Sequence, residues 1–255
     1  MKRTEREFGL TEGPVGRQLL LFALPLLKTD SEIKINPPIE SRPYIEMTLE
    51  TLKKAGIKVD FSGNDIYIYG NQLYSPLREN TEKDWSNAVF LDAMNLAGGD
   101  VCVTGLNENS KQGDKIYREF FAVLEKNSLP KIDITDFPDL APVLMAAAAI
   151  KNGVVLTGTR RLRFKESDRG KAMSEELEKF GIETVIEEDT ITVKKGDPTF
   201  PTDILSSHND HRIAMALSVI MSVTGGTLNG AEAVFKSYPG YWEDIKKLGI
   251  EVIYE

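Results

Sequence analysis

Apolar positions along the chain fall into helix-spaced stretches that alternate with short β-branched or aromatic runs, and the alternation itself repeats. Three segments mark the repeat: LKKAGIKV (residues 52–59), EKFGIETV (178–185) and KKLGIEVI (246–253). Each predicts a helix stopped by a glycine and followed at once by a strand. The gap from Gly56 to Gly181 is nearly twice that from Gly181 to Gly249, so a degenerate copy is expected between the first two, and LEKNSLPKI (124–132) fills that place.

Four units follow, each a helix, a strand, a second helix ending in the repeated segment, and one or two closing strands. The first predicts helices over 15–27 and 44–55, a strand over 32–35, and a hairpin of 58–60 with 66–69 around the turn SGND. In the second come helices over 86–96 and 115–125 with a strand over 101–104, then a passage to Lys131 with no room for a hairpin. Helices over 140–150 and 166–180 and strands near 154–157, 183–186 and 190–194 make the third; helices over 211–223 and 241–248, a strand over 226–229 and a final strand make the fourth. Helices such as VLMAAAAI are apolar nearly all round and should be buried between other elements. The expected class is α/β, built of repeated βαβαββ units, with residues 1–82 as one unit of a first domain and 83–255 as a three-unit domain.

At 255 residues and 41% hydrophobic, the chain can bury one large core or two smaller ones. Its longest apolar stretch, residues 19–27, is broken by Pro25 and far short of a membrane span, so the expected location is the cytoplasm. Cys102 sits in the run 101–103 and reads as a core strand residue rather than a nucleophile. Two histidines and one cysteine offer no metal-ligand cluster. A net charge of −8 argues against a general nucleic-acid surface. Yet Arg160, Arg161, Arg163, Lys165, Arg169 and Lys171 crowd together, which suggests either a focused anion site or a solvated helix face.

Unusual polar residues gather just before or within the first turns of predicted helices: Arg17-Gln18, Asp84-Trp85-Ser86, Asp139, the run from Lys165 to Arg169, and Asn209-Asp210-His211-Arg212. Helix starts carry unpaired N–H groups and partial positive charge, so several converging starts can bind an anion. Capping alone accounts equally well for Asp84 and Asp210, but it does not explain the cations. Lys165 and Arg169, at i and i+4, would repel on one helix face unless a ligand or carboxylate neutralises them. His211, beside Asp210 and Arg212 at the head of an apolar helix, is a candidate functional group rather than a satisfied core histidine.

With those residues in view, a resemblance emerges. RLRFKESDR (161–169), HNDHRIAMAL (208–217), FPDLAPVL (137–144), NSKQGD (109–114), ESRPYIEMTL (40–49) and KSYPGYWED (236–244) resemble, in family order, the motifs of 5-enolpyruvylshikimate-3-phosphate synthases (EPSP synthases). The resemblance implies two domains of three units each with substrate between them, no metal and no organic cofactor. It also implies transfer of the enolpyruvyl group of phosphoenolpyruvate to the 5-hydroxyl of shikimate 3-phosphate with release of phosphate. By the same resemblance, Asp139 is the base for the hydroxyl proton, Glu166 the acid for the methylene carbon, Lys165 a shikimate 3-phosphate contact that assists proton transfer, and His211 a hydrogen-bonding neighbour. Arg169, Arg212 and Lys236, with Gln18, would hold phosphoenolpyruvate; Gln18, Arg17, Ser41, Tyr44, Asp139, Arg161 and Lys165 would hold shikimate 3-phosphate.

Two departures stand out. Gly16 and Arg17 replace the family's usual serine pair before Gln18, and Arg161 stands at a position that is asparagine in part of the family. Members of the family also carry a further amino-terminal part ahead of the point where this sequence starts. The chain is therefore expected to lack about the amino-terminal third, to be incomplete by itself, and to have a complementary amino-terminal chain as a possible partner. The alternatives are a non-catalytic remnant, one piece of a split enzyme, or the sibling UDP-N-acetylglucosamine enolpyruvyl transferase, whose loop cysteine has no counterpart here.

Overall fold

A computed structural model of the chain describes residues 14–37, 39 and 41–254, with side chains described from residue 19 onward. The architecture is α/β, and contacts divide it into two compact units, Met1–Glu82 with Glu108–Gly113, and Lys83–Asn107 with Asp114–Glu255.

In the first unit, α1 (Pro14–Ala23) gives way to a 3-10 turn (Leu24–Leu26), followed by β1 (Ser31–Lys34), α2 (Arg42–Lys54), β2 (Val59–Ser62) and β3 (Asp65–Ile68). The helix expected to continue to residue 27 stops at Ala23, because Pro25 offers no N–H to the helical ladder. The strands form an antiparallel sheet in the order β1-β3-β2, with the hairpin turning at Gly63-Asn64 as the SGND motif predicts. Leu21, Leu24, Ile33, Ile45, Leu52, Ile66 and Ile68 fill its core.

The second unit runs through α3 (Trp85–Leu96), a 3-10 turn (Gly113–Ile116), α4 (Tyr117–Lys126), β4 (Lys131–Asp133), a 3-10 turn (Pro138–Leu140), α5 (Ala141–Ile150) and β5 (Val154–Thr157). A 3-10 turn (Arg160–Phe164) then leads to α6 (Arg169–Lys179), β6 (Thr184–Ile186), β7 (Thr190–Val193), β8 (Leu205–Ser206), α7 (His211–Thr224), β9 (Leu228–Asn229), a last 3-10 turn (Ala231–Lys236) and α8 (Tyr241–Lys247). One sheet has the order β4-β5-β7-β6, with β4 and β5 parallel and the other pairs antiparallel; β8 and β9 make a parallel pair. α5 is buried on all sides through Ala149 and packs against α7, as its uniformly apolar composition requires.

The repeated segments close their helices identically. Gly56, Gly181 and Gly249 all take left-handed backbone (φ 80°, 81° and 92°). In each, the next residue's N–H reaches back to the last helical turn: Ile57 to Leu52 O at 2.9 Å, Ile182 to Leu177 O at 3.0 Å, Ile250 to Ile245 O at 3.2 Å. This is the glycine-terminated cap in which the left-handed residue frees the chain to leave the helix.

Two expected strands do not form. Residues 101–104 and 250–254 have no regular secondary structure and join no sheet among the described residues. Val101, Ile250 and Val252 still pack on the core, while Cys102 is exposed rather than buried as expected. Alternation set which side chains face inward there, whereas a strand also needs a neighbour to complete its hydrogen bonds.

Candidate functional site

The second unit brings its charged helix starts together. Asp139 stands in the turn that opens α5, Lys165 and Glu166 in the short bend before α6, Arg169 at the first residue of α6, and His211 and Arg212 at the head of α7. Lys236 ends the turn before α8.

Arg169 is the hub. Only 1% exposed, its guanidinium donates from Nε to Asp210 Oδ2 (2.8 Å), from Nη1 to Asp139 Oδ1 (2.6 Å) and from Nη2 to Glu166 Oε2 (2.7 Å). A planar fork with donors on every edge suits three carboxylates arrayed around it. Asp139 also receives Lys165 Nζ at 3.0 Å and Arg212 Nη2 at 3.1 Å. Arg212 Nη1 lies 3.4 Å from Ser86 O and 3.5 Å from Asp139 O, so α3 and the α5 turn both fix it. Lys236 Nζ sits 3.4 Å from Glu166 Oε1, with its side chain 58% exposed.

Asp210 does two things with one carboxylate. Its Oδ1 accepts the Arg212 backbone N–H (2.9 Å), capping α7, while Oδ2 holds Arg169. Asp84 and Asp168 cap α3 and α6 in the same manner, through the N–H groups of Ser86 and Lys171.

Burial alone would raise the pKa of Asp139, but Arg212, Lys165 and Arg169 outweigh it and hold the carboxyl far below the usual carboxylate range. For Glu166 and Asp210 burial likewise pushes the pKa up, and Arg169 outweighs it, so both carboxyls are shifted down. The pKa of His211 is lowered as well, by burial and then by the nearby Arg212, and for a base that favours the neutral imidazole. Its Nδ1 is buried and has no hydrogen-bond partner among the described residues; Asp210 Oδ1 lies 3.8 Å away.

Among the described residues, Lys165, Arg169, Arg212 and Lys236 thus face Asp139, Glu166 and Asp210, four cations to three carboxylates. Chemically the cluster offers cations for a phosphate or carboxylate and two carboxylates, Asp139 and Glu166, bridged by Arg169. Lys165 and Arg169 do not share a helix face as expected, because α6 begins only at Arg169; Asp139 neutralises both. Arg161 is half-buried in the turn Arg160–Phe164 just upstream. Ser41 and Tyr44 belong to the other unit, where Ser41, 1% exposed and left-handed (φ 55°), precedes α2 and its carbonyl accepts the Tyr44 N–H at 3.1 Å. Arg17 and Gln18 fall in α1, with side chains outside the described residues. Sequence reasoning left open whether Asp210 does more than cap, and it passed over the carbonyl of Ser86, since no side-chain pattern announces a carbonyl's role. Among the described residues, no group of three His, Cys, Asp or Glu could hold a metal, and no helix is long and apolar enough to cross a membrane.

The fold is that of the enolpyruvyl transferases. Over 93% of its length the chain superposes on EPSP synthase from Acinetobacter baumannii (TM-score 0.75, 23% identity, 61% of that chain), and over 89% on the enolpyruvyl transferase NikO from Streptomyces tendae (TM-score 0.65, 17% identity, 57% of that chain). The EPSP synthase (3-phosphoshikimate 1-carboxyvinyltransferase) family model matches residues 14–245, and the chain belongs to that family. It is 39% identical to the 3-phosphoshikimate 1-carboxyvinyltransferase of Clostridium kluyveri, covering 91% of this chain, and 33% identical to that of Archaeoglobus fulgidus, covering 92%. The chain spans 59% and 60% of the length of those two relatives.

Proposed function

We propose that the chain carries the phosphoenolpyruvate-binding and proton-transfer part of an enolpyruvyl transferase that joins phosphoenolpyruvate to the 5-hydroxyl of shikimate 3-phosphate and releases phosphate. The observation that carries this is Arg169 bridging Asp139 and Glu166, with Lys165, Arg212 and Lys236 around them. In this reading Glu166 gives a proton to the methylene carbon of phosphoenolpyruvate as the shikimate hydroxyl oxygen bonds to its central carbon. Asp139, with Lys165 beside it, takes the hydroxyl proton. Loss of phosphate and return of the methyl proton to Glu166 then leave the enolpyruvyl ether. Arg169, Arg212 and Lys236 hold the phosphoenolpyruvate anion, and neutral His211 contributes hydrogen bonding beside them.

The ion pairs of the cluster are those that an incoming trianion would compete for. A ligand drawing Arg212 and Lys165 toward itself relieves the depression of the Asp139 pKa and makes it a better base at the moment substrate arrives. Ser41, Tyr44, Arg161, Arg17 and Gln18 belong to shikimate 3-phosphate in this reading, residues 1–82 to a first substrate-binding domain and 83–255 to the catalytic one, and the reaction to the cytoplasm. The test is phosphate release from the two substrates, with the chain alone and with a polypeptide covering the remaining length of the relatives. Release that needs both substrates and is lost in Asp139→Asn supports the reading; no release in either arrangement refutes it.

A further inference from the structure

Outside the cluster, α6 carries a second buried charge that the proposed chemistry does not use. Glu176, 1% exposed, stands seven residues after Arg169 and therefore on the same helical face two turns on. Both side chains reach the same stretch of chain. Arg169 holds Asp210, and Glu176 accepts the Ser206 backbone N–H (Oε2, 2.9 Å) and His208 Nε2–H (Oε1, 2.8 Å). Lys179 Nζ, at 3.0 and 2.9 Å from the two Glu176 oxygens, neutralises the carboxylate and donates to Ile204 O at 2.9 Å.

What lies between the two anchors is backbone in an uncommon state. His208 and Asn209 are consecutive left-handed residues (φ 49° and 56°), a conformation that costs a histidine more than an asparagine and that needs outside support. Support comes from three local bonds: the His208 N–H to Ser206 Oγ (3.1 Å), the Asn209 N–H to Ser207 Oγ (3.2 Å) and the Asp210 N–H to Ser207 O (2.9 Å). Directly after this turn come Asp210, His211 and Arg212.

We propose that Glu176 and His208 are positioning residues: together they brace the left-handed turn at His208-Asn209 and so set where Asp210 and Arg212 present themselves to the phosphoenolpyruvate anion. The ligand half of this statement rests on the function proposed above; the bracing half does not. Helix α6 thereby clamps the approach to α7 at two points, one at the site and one behind it.

Hydrogen exchange of the full chain tests the bracing, with His208→Ala, Glu176→Ala and Glu176→Gln compared to the parent. Faster exchange confined to 207–214, with α5 unchanged, is expected for both alanine variants; Glu176→Gln, whose one carbonyl oxygen can replace either the acceptor of Ser206 or that of His208 but not both, should recover part of the protection. Unchanged exchange at 207–214 in His208→Ala, or an increase spread equally over α5, overturns the proposal. Binding of phosphoenolpyruvate and of shikimate 3-phosphate, titrated separately, tests the consequence. His208→Ala should weaken phosphoenolpyruvate about tenfold, as a small misplacement of an anion clamp does, and leave shikimate 3-phosphate unaffected. Both ligands weakening alike, or neither, overturns positioning. Arg212→Ala is the control: if the parent binds no phosphoenolpyruvate, or Arg212→Ala binds it equally well, the functional reading fails while the exchange result still decides the brace.

Discussion

Replacing Arg169 by methionine removes the hub of the cluster with little change in volume. Asp139 keeps Lys165 and Arg212, and Glu166, partly exposed, keeps Lys236, so neither is stranded. Among the described residues, Asp210, 0% exposed, keeps hydrogen bonds from the Arg212 N–H and the Ser167 hydroxyl (3.2 Å) but loses its cationic partner Arg169. Stripping one partner from a buried ion pair costs about 3–5 kcal/mol, and the exposed Glu166 arm adds little to that. Both tryptophans, Trp85 and Trp242, lie in the second unit, so urea unfolding followed by tryptophan fluorescence reports on the part of the molecule concerned. The pH dependence has a definite sign. Because Arg169 lowers the folded-state pKa of Asp210, its stabilisation is present above the unfolded carboxylate value and is lost as pH falls through the folded one. The difference between parent and Arg169→Met should therefore be full at neutral pH and shrink below about pH 4. A loss under about 1 kcal/mol at neutral pH, or one that stays constant on acidification, would refute the argument that an uncompensated Asp210 carries the cost.

Asp139→Asn should abolish phosphate release by at least about a hundredfold while phosphoenolpyruvate binds as well or better, since a competitor for Arg212 and Lys165 is gone; direct titration separates the two effects. Lys236→Ala, at an exposed side chain, should change the unfolding free energy by less than about 0.5 kcal/mol yet weaken phosphoenolpyruvate binding. Gly158→Ala should destabilise the second unit by about 2 kcal/mol or more in urea, because φ is +75° and an added Cβ would lie 2.2 Å from Thr135 Oγ1 and 2.7 Å from the Thr135 nitrogen.

The repeat was legible because each helix must be stopped, and glycine at Gly56, Gly181 and Gly249 is a local signal that needs no tertiary information. Gathering of charge at helix starts could be read for the same reason: capping and first-turn positions are set by the nearest few residues. Partnership was not legible. Residues 101–104 and 250–254 carry strand-like alternation, yet membership of a sheet depends on a neighbour that local sequence does not specify. Nor did spacing reveal how Lys165 and Arg169 coexist. The helix-face argument placed them side by side, whereas the chain is extended at Lys165 and the two meet at Asp139, a residue distant in sequence. Glu176 shows the converse: its spacing from Arg169 was readable, but a charged residue in a run of Glu and Lys looks like solvated surface until its burial is known.

Because α5 is enclosed on every side, each of its alanines occupies a space that its neighbours have closed around. Substitution there must be matched by a second substitution elsewhere, so drift along this helix should proceed in correlated pairs and slowly. Among relatives, residues 141–149 would then be nearly as invariant as Asp139, although none of them touches the charged cluster by a polar side chain. Invariance would overstate the size of the reactive surface here, and the exposed, singly tethered Lys236 would be a better place than α5 to look for natural variation that retunes affinity.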